Sequence, residues 1–336
     1  MKKILTVLLL LIFIASTDSA FQAQANSKLE HRTINVGNFN RINVSSIINV
    51  TFIQGKATGE VQVSAPSSKM KYVKVEVNNK ELCLSYSSHD NSRNNDGPIN
   101  VTVQAPSIVE VTTTGASSFK VKGELNMKEK ICIESSGASN INIPVLRTTN
   151  ISLSASGASA VKMQRMESST LKIYGSGASN IKITDALSPK IYLESSGTAY
   201  LGISNYSGEK LLVSTSGVSK TEVKTTDADI LDLESTGVSS LKVGNIDAKM
   251  TDVTVSGEAV AYLWGKSQGW NKNVSGGGKI KTNVGTSIAS QSSSVSSSKS
   301  TSKSTSKSTS KSTSKSSSRS KSSRESSKKS VPTQAP

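Results

Sequence analysis

The 336-residue sequence predicts an all-β fold: a β-solenoid, or β-helix, of coils about 20 residues long with Gly-Ala-Ser turns, preceded by irregular capping strands. Two observations carry this expectation. Glycines stand at Gly115, Gly137, Gly157, Gly177, Gly197, Gly217, Gly237 and Gly257, spaced by 22 residues once and by 20 thereafter, with Gly276 following after 19. Aligned on that glycine, the positions four before and six after it are apolar in every copy, from Val111 and Val121 to Val253 and Leu263. A fixed period of this length marks an architecture in which no single unit buries its own apolar face, so that units must stack.

The chain opens on an export signal. Lys2 and Lys3 precede an apolar run from Ile4 to Ala15, and Ala23-Gln24-Ala25 supplies the small residues that a signal peptidase accepts. Twelve apolar residues reach only about 18 Å as a helix, short of the ~30 Å hydrocarbon core. Residues 1–25 are therefore expected to be removed, and the mature chain to be exported to the periplasm, the cell surface or the extracellular medium, with no transmembrane helix.

Residues 26–286 form the expected folded domain. Its first part, 33–105, reads as strands without a strict period: Ile42 to Val44, Asn49 to Ile53, Val61 to Val63, Val73 to Val77, Leu82 to Tyr86 and Ile99 to Val103. These are expected to cap the stack, because a terminal coil otherwise leaves an open edge. Trp264, Trp270 and Gly276-Gly277-Gly278 are candidates for the same task at the far end.

The regular repeats run from about 109 to 284. The columns six before and four after the glycine are apolar except at Thr251 and Thr221, and mostly polar residues alternate between them. Apolar residues two apart with β-branched enrichment indicate strands with one buried face, not helices. A hydroxyl residue always precedes the glycine, and two residues after it stand Ser117, Ser139, Ser159, Ser179, Ala199, Ser219, Ser239 and Ala259. A corner between two sheets has room only for small side chains, glycine supplies its backbone angles, and hydroxyls bond to backbone groups left over by the bend. As nucleophiles these serines lack a base at constant offset.

Residues 287–336 are a Ser/Lys-rich, low-complexity tail expected to be disordered, with Lys299, Lys303, Lys307, Lys311 and Lys315 at a four-residue period. Of the net charge of +16, this tail holds +9 and the first 25 residues +1, leaving +6 for the 261 residues between. The high pI thus describes the tail more than the fold. Anionic polymers or lipid headgroups are its expected partners, bound in a salt-sensitive way; nucleic acid is not expected for an exported chain.

Composition excludes several function classes. His31, His89, Cys83 and Cys132 lie far apart with no ligand spacing, which argues against a metal cage and a His-dependent triad. No cofactor is implied. Asp227, Asp229 and Asp232 are the one tight carboxylate cluster; Asp227 and Asp229 are expected in a connecting segment, with no recurrence in adjacent coils. Cys83 and Cys132 should both point outward, and whether they pair is left open.

The Phe-Asn-Arg-Ile-Asn-Val start at 39–44, strands ending at Gln104-Ala105-Pro106 and the following Ser-Gly-Ala-Ser-Asn-Ile copies resemble the bacterial family called putative auto-transporter adhesin, head GIN domain, a domain of unknown function common in Bacteroidetes. The resemblance covers roughly residues 33–284. It implies a pectin-lyase-type β-superhelix whose turns join two sheets, no catalytic residues, and a role in adhesion. The Gly-Ala-Ser turn and the Ser/Lys tail depart from that family, and nothing after the domain offers the alternating strands of a translocating barrel.

On the outward offsets, residues ahead of the glycine carry net negative charge, while those after it include Lys120, Lys162, Lys182 and Lys242 with Tyr200, Tyr262 and Trp264. One sheet should be acidic outside and the other basic. Envelope or host glycans are the expected partners of the basic face, since amphipathic rings beside polar donors stack on sugars; ordinary strand residues and solubilising lysines are the plainer explanation. Self-association is left open. The functional expectation is a secreted or cell-envelope, non-enzymatic, adhesin-like surface-binding module. Its alternatives are a carbohydrate-active enzyme on the same scaffold and a purely structural envelope protein.

Overall fold

The computed structural model describes residues 28–56, 59–87 and 97–286 and the backbone of a strand at Ser292–Val295. The expected signal segment, His89 and the remainder of the tail lie outside the described residues.

Strands stack in parallel into a β-solenoid of about nine turns. In each regular coil, one strand leads into the glycine turn and a second leaves it. Asn150–Ala155 and Ala160–Glu167 are one such pair, and Thr170–Gly175 and Asn180–Leu187 lie directly on top of them. The strands ahead of the glycine build a leading sheet and those after it a trailing sheet. From Tyr200 onward single strands such as Tyr200–Thr215 and Lys220–Ser235 run unbroken from the trailing sheet of one coil into the leading sheet of the next.

The glycine turns stack on one another. Gly115 through Gly257 have φ between 61° and 74°, and Ala178 N donates to Gly157 O at 2.8 Å as Ala158 N does to Gly137 O. Within a turn, Ser179 N reaches back to Ser176 O at 3.2 Å. Positive φ at the first central residue alone is the pattern of a type II′ turn. Conformation is not the only demand for glycine. A Cβ on Gly177 would lie 2.9 Å from Gly157 O, the acceptor of the ladder bond, and the same collision recurs at each turn from Gly137 to Gly257.

Inside, the four expected columns are buried throughout, apart from half-buried Val109 at the first coil. The two threonines in them are explained by their partners. Thr221 Oγ1 lies 2.7 Å from Ser195 Oγ and 2.9 Å from Thr215 Oγ1, and Thr251 Oγ1 donates to Ser267 Oγ at 2.9 Å. A further inward column escapes the period-two reading: Leu146, Met166, Ala186, Tyr206, Thr226 and Ile246, nine residues after the glycine. Gln164 and Arg165 show why, because both face outward and the bend there changes the phase of alternation.

The N-terminal end is capped by antiparallel pairs. Leu29–Asn35 pairs with Glu60–Pro66, which pairs in turn with Ile99–Ala105, and Val73–Asn78 pairs with Glu81–Tyr86. The coil formed by Arg41–Val44 and Ile48–Gln54 does not lie at the end of the stack. It sits between the strands Glu81–Tyr86 and Ile99–Ala105 on one side and Glu110–Thr113 and Ser118–Val121 on the other. Its turn residue, Ser46, has φ 71° and heads the glycine stack beneath Gly115.

At the far end, Trp270 is buried beside Thr251 in the column six before the turn glycine, whereas Trp264 lies on the outer face of the trailing sheet. Ser292–Val295 adds a last strand alongside Asn271–Val274. The 19-residue spacing before Gly276 has a local cause: Val243 pairs with Leu263 and Ile246 with Gly265, so Trp264 alone opposes the bulged Gly244-Asn245.

Candidate functional site

The outer face of the trailing sheet carries the candidate binding residues, most of them in one ladder with Tyr200 and Trp264 in the columns beside it, although not in one site. Five residues after each glycine, register places Lys120, Asn142, Lys162, Lys182, Gly202, Glu222, Lys242, Tyr262 and Lys281 on successive strands. From Lys120 to Tyr262 alternation fixes the outward direction, because the residues on either side of each are the buried columns.

Three lysines share a groove. Lys120, Lys162 and Lys182 line a depression of about 320 Å³ with Asn140, Asn142 and Asn180. Among the described residues, none of these six side chains has a hydrogen-bond or ion-pair partner; Lys182 alone has a further contact, its ammonium 5.9 Å from the Tyr200 ring centroid. A second depression of about 330 Å³ shares Lys162 and Lys182 and is bounded by Tyr200, Gly202, Glu222 and Lys224.

Tyr200 marks where the basic run is interrupted. Its ring leans over Gly202, where a Cβ would lie 2.7 Å from the phenol oxygen, and its hydroxyl donates to Glu222 Oε2 at 3.3 Å. Lys220 lies 5.3 Å from the ring centroid and 3.2 Å from Glu222 Oε2. Burial, then the Glu222 charge, pushes the Tyr200 phenol above its ordinary pKa. Burial works against the Glu222 carboxylate, but the hydrogen bond and charge of Lys220, with help from Lys242 and Tyr200, hold its pKa below the usual carboxylate value.

Lys242, Tyr262 and Trp264 form a separate group beyond that interruption. Ammonium groups of Lys242 and Lys281 lie 5.4 Å and 5.1 Å from the Tyr262 centroid. Trp264, 37% exposed, packs over Gly244, at which a Cβ would come 2.0 Å from the indole Cζ2. Glycine opposite the ring thus gives the indole room to rest there, with part of it left toward solvent.

The leading sheet carries Glu110, Glu134, Glu194, Asp232, Glu234 and Asp252 in its outward columns. A depression of about 240 Å³ there is lined by Tyr174, Tyr192, Glu194, Leu212, Asp232 and Glu234. The Asp cluster differs from the sequence expectation. Asp227 and Asp229 lie within the strand Lys220–Ser235, Asp227 is in register with Asp247, and Asp232 with Asp252, so the carboxylates do recur in the adjacent coil. Lys249 Nζ reaches Asp229 Oδ1 at 2.9 Å, and Asn271 Nδ2 donates to Asp252 Oδ1 at 2.7 Å. Among the described residues, no group of three or more His, Cys, Asp and Glu side chains is arranged to hold a metal ion.

An ion network occupies the bend after the trailing strand, where Arg147 joins Glu124 and Glu167, and Glu167 also accepts from Arg165. The two arginines hold the Glu167 carboxyl below its ordinary pKa against the opposing effect of burial. Cys83 and Cys132 are free thiols. Register separates their strands by Arg41–Val44 and Glu110–Thr113, three strand spacings or about 14 Å, which rules out a bond between them. Burial first, then neighbouring glutamates, raises both thiol pKa values. Among the described residues, no helix is long and apolar enough to cross a membrane.

The family model for the putative auto-transporter adhesin, head GIN domain, matches residues 38–224, more than half of the chain. No curated protein matches. Solved structures share the fold at low identity. One is a putative adhesin from Parabacteroides distasonis, 16% identical with a TM-score of 0.55, covering 76% of this chain and 98% of its own. Another from the same organism, a putative lipid binding protein, is 15% identical with a TM-score of 0.54, covering 76% and 97%. A putative adhesin from Parabacteroides merdae is 15% identical with a TM-score of 0.52 over the same shares.

Proposed function

Because the chain belongs to the putative auto-transporter adhesin, head GIN domain, family, we propose that it is an exported, non-enzymatic module of the adhesin type that binds envelope or host glycans through the basic outer face of its trailing sheet. One observation carries this reading: Lys120, Lys162 and Lys182 line one groove with three asparagine amides, and none of the six is paired by hydrogen bond or salt bridge among the described residues. Rigid strands fix where these side chains start, so the ordering cost of binding is confined to the side chains themselves. The stacked glycine turns and ladder hydrogen bonds make the scaffold that keeps them in line.

Residues 287–336 complete the proposal as a basic segment that strengthens contact with anionic surfaces. Its contribution should fall with ionic strength, as screening of exposed charges requires. The test is a glycan array probed with the full chain and with a chain ending at residue 297, which keeps the strand Ser292–Val295 and removes every tail lysine, at low and high salt. Binding to acidic glycans that survives loss of the tail but is lost on charge reversal at Lys162 and Lys182 supports the reading. An array on which no glycan binds would favour a purely structural envelope role, and turnover of an acidic polysaccharide would favour an enzyme.

A further inference from the structure

The lysine row has a direction, and that direction selects a ligand class. Along any one strand of the four coils from Lys120 to Lys182, the outward positions three, five and seven after the glycine carry at most two cations and, in three of the four coils, one or none: Ser118-Lys120-Lys122, Asn140-Asn142-Pro144, Ala160-Lys162-Gln164 and Asn180-Lys182-Thr184. Only perpendicular to the strands, along the stacking axis, do cations and amides follow one another at every step. None of these twelve positions is a carboxylate. On the next coils Gly202 and Glu222 take the same column, with Tyr200 leaning over Gly202, so the row stops there.

Resting on the glycan-binding reading above, we infer that this four-coil row binds a linear acidic polysaccharide lying along the solenoid axis, with one anionic sugar per coil. Strand spacing sets the match: parallel strands lie about 4.8 Å apart, so the row from Lys120 to Lys182 spans about 14 Å. A polyuronate carrying a carboxylate on every sugar presents charges at a comparable pitch. Lys120, Lys162 and Lys182 each face one carboxylate. Asn142 fills the second step with an amide, which both donates to and accepts from sugar hydroxyls, as do Asn140 and Asn180 beside it. Tyr200 forms the end wall. A single-stranded nucleic acid fits less well, because its recognition relies on aromatic stacking platforms and none lies among the twelve positions.

The test uses size-defined oligogalacturonates from two to eight sugars long, titrated into the full chain by calorimetry. Affinity should rise up to about four sugars, the length that spans the row, and then level off. Lys162→Ala and Lys182→Ala should each weaken the four-sugar oligomer about threefold to fivefold, the size of an exposed charge pair. Asn142→Ala should weaken it with no change in salt dependence, while Lys172→Ala on the opposite sheet should leave it unchanged. Melting curves confirm that each variant is folded. Binding that depends on Lys162 and Lys182 but ignores oligomer length would overturn the axial site and leave the basic-face reading standing. An oligothymidylate of equal charge binding as tightly would overturn the polyuronate assignment. If none of the oligomers binds, while the glycan array gives hits lost on charge reversal of the face, this inference alone fails; if the array is also blank, both fail.

Discussion

Replacing Gly177 by alanine separates the two demands that the turn makes on glycine. At φ 61° an alanine suffers the cost of left-handed backbone, about 1–2 kcal/mol. Its Cβ would also lie 2.9 Å from Gly157 O, and at 3.0 Å and 3.3 Å from Gly157 N and Cα, all backbone atoms held by ladder bonds. Relief of such overpacking costs about a further 1–3 kcal/mol. Restricting the unfolded chain returns roughly 0.4–1 kcal/mol. Gly177→Ala should therefore destabilise by about 1–4.5 kcal/mol, with the collision setting the difference from a glycine that meets only the dihedral cost. Two other glycines serve as controls. Gly123 has φ 88° with nothing within 4 Å of where an alanine methyl would sit, and Gly276 has φ 65° with its nearest neighbour at 3.3 Å. Their alanine variants meet the dihedral cost with little collision and should lose only about 0–1.5 kcal/mol. Urea unfolding followed by circular dichroism at the β-sheet band measures all three. Equal losses at Gly123, Gly177 and Gly276 would refute the collision and leave dihedral preference as the whole explanation.

Buried hydroxyls should divide by their partners. Ser179 Oγ is buried without a hydrogen-bond partner, so Ser179→Ala should be neutral or stabilising, whereas Thr221→Val should cost about 1–3 kcal/mol by removing the acceptor of the buried Thr215 hydroxyl, while Ser195 keeps Ser219 as its partner; thermal melts compare the two. Intact-mass measurement after alkylation should find two free thiols with and without reductant. Because burial and glutamate charge raise both thiol pKa values, less thiolate is present near pH 8, and alkylation should be slower than for a free cysteine and accelerate as pH rises past its ordinary pKa; rates equal to free cysteine would contradict this. Gly244→Ala should lift the Trp264 indole off the sheet and shift its fluorescence to the red, with buried Trp270 contributing a constant background; an unchanged spectrum would show that the ring does not rest on Gly244.

The parts of the fold legible in sequence are those governed by strict alternation. Val111 and Val121, and their counterparts 20 residues on, announce the two sheets because an inward residue every second position is all a half-buried strand requires. The column of Leu146, Met166 and Tyr206 stays hidden because two outward residues precede it and break the period. Ser46 conceals the inserted coil: at the head of the stack a serine holds φ 71° in place of the glycine, its hydroxyl donating to Tyr86 O at 2.8 Å. The repetition of Asp227 at Asp247 and of Asp232 at Asp252 was legible from the 20-residue offset alone. The basic face follows from the same period. Its division at Tyr200 does not, because that depends on a ring leaning over Gly202 and on Glu222 being paired with Lys220.

The most direct measurement compares two triple variants of equal charge change, Lys120→Glu with Lys162→Glu and Lys182→Glu against three exposed lysines off that sheet, Lys74→Glu in Val73–Asn78 with Lys172→Glu and Lys190→Glu on the leading sheet, for binding to immobilised polygalacturonate at fixed ionic strength. A binding row on the trailing sheet predicts that the first set weakens binding to what the basic tail alone sustains and the second leaves it within about twofold, a difference that a shared loss of six charge units cannot produce. Equal loss in both would mean that net charge alone governs attachment, and the row would have no part in it.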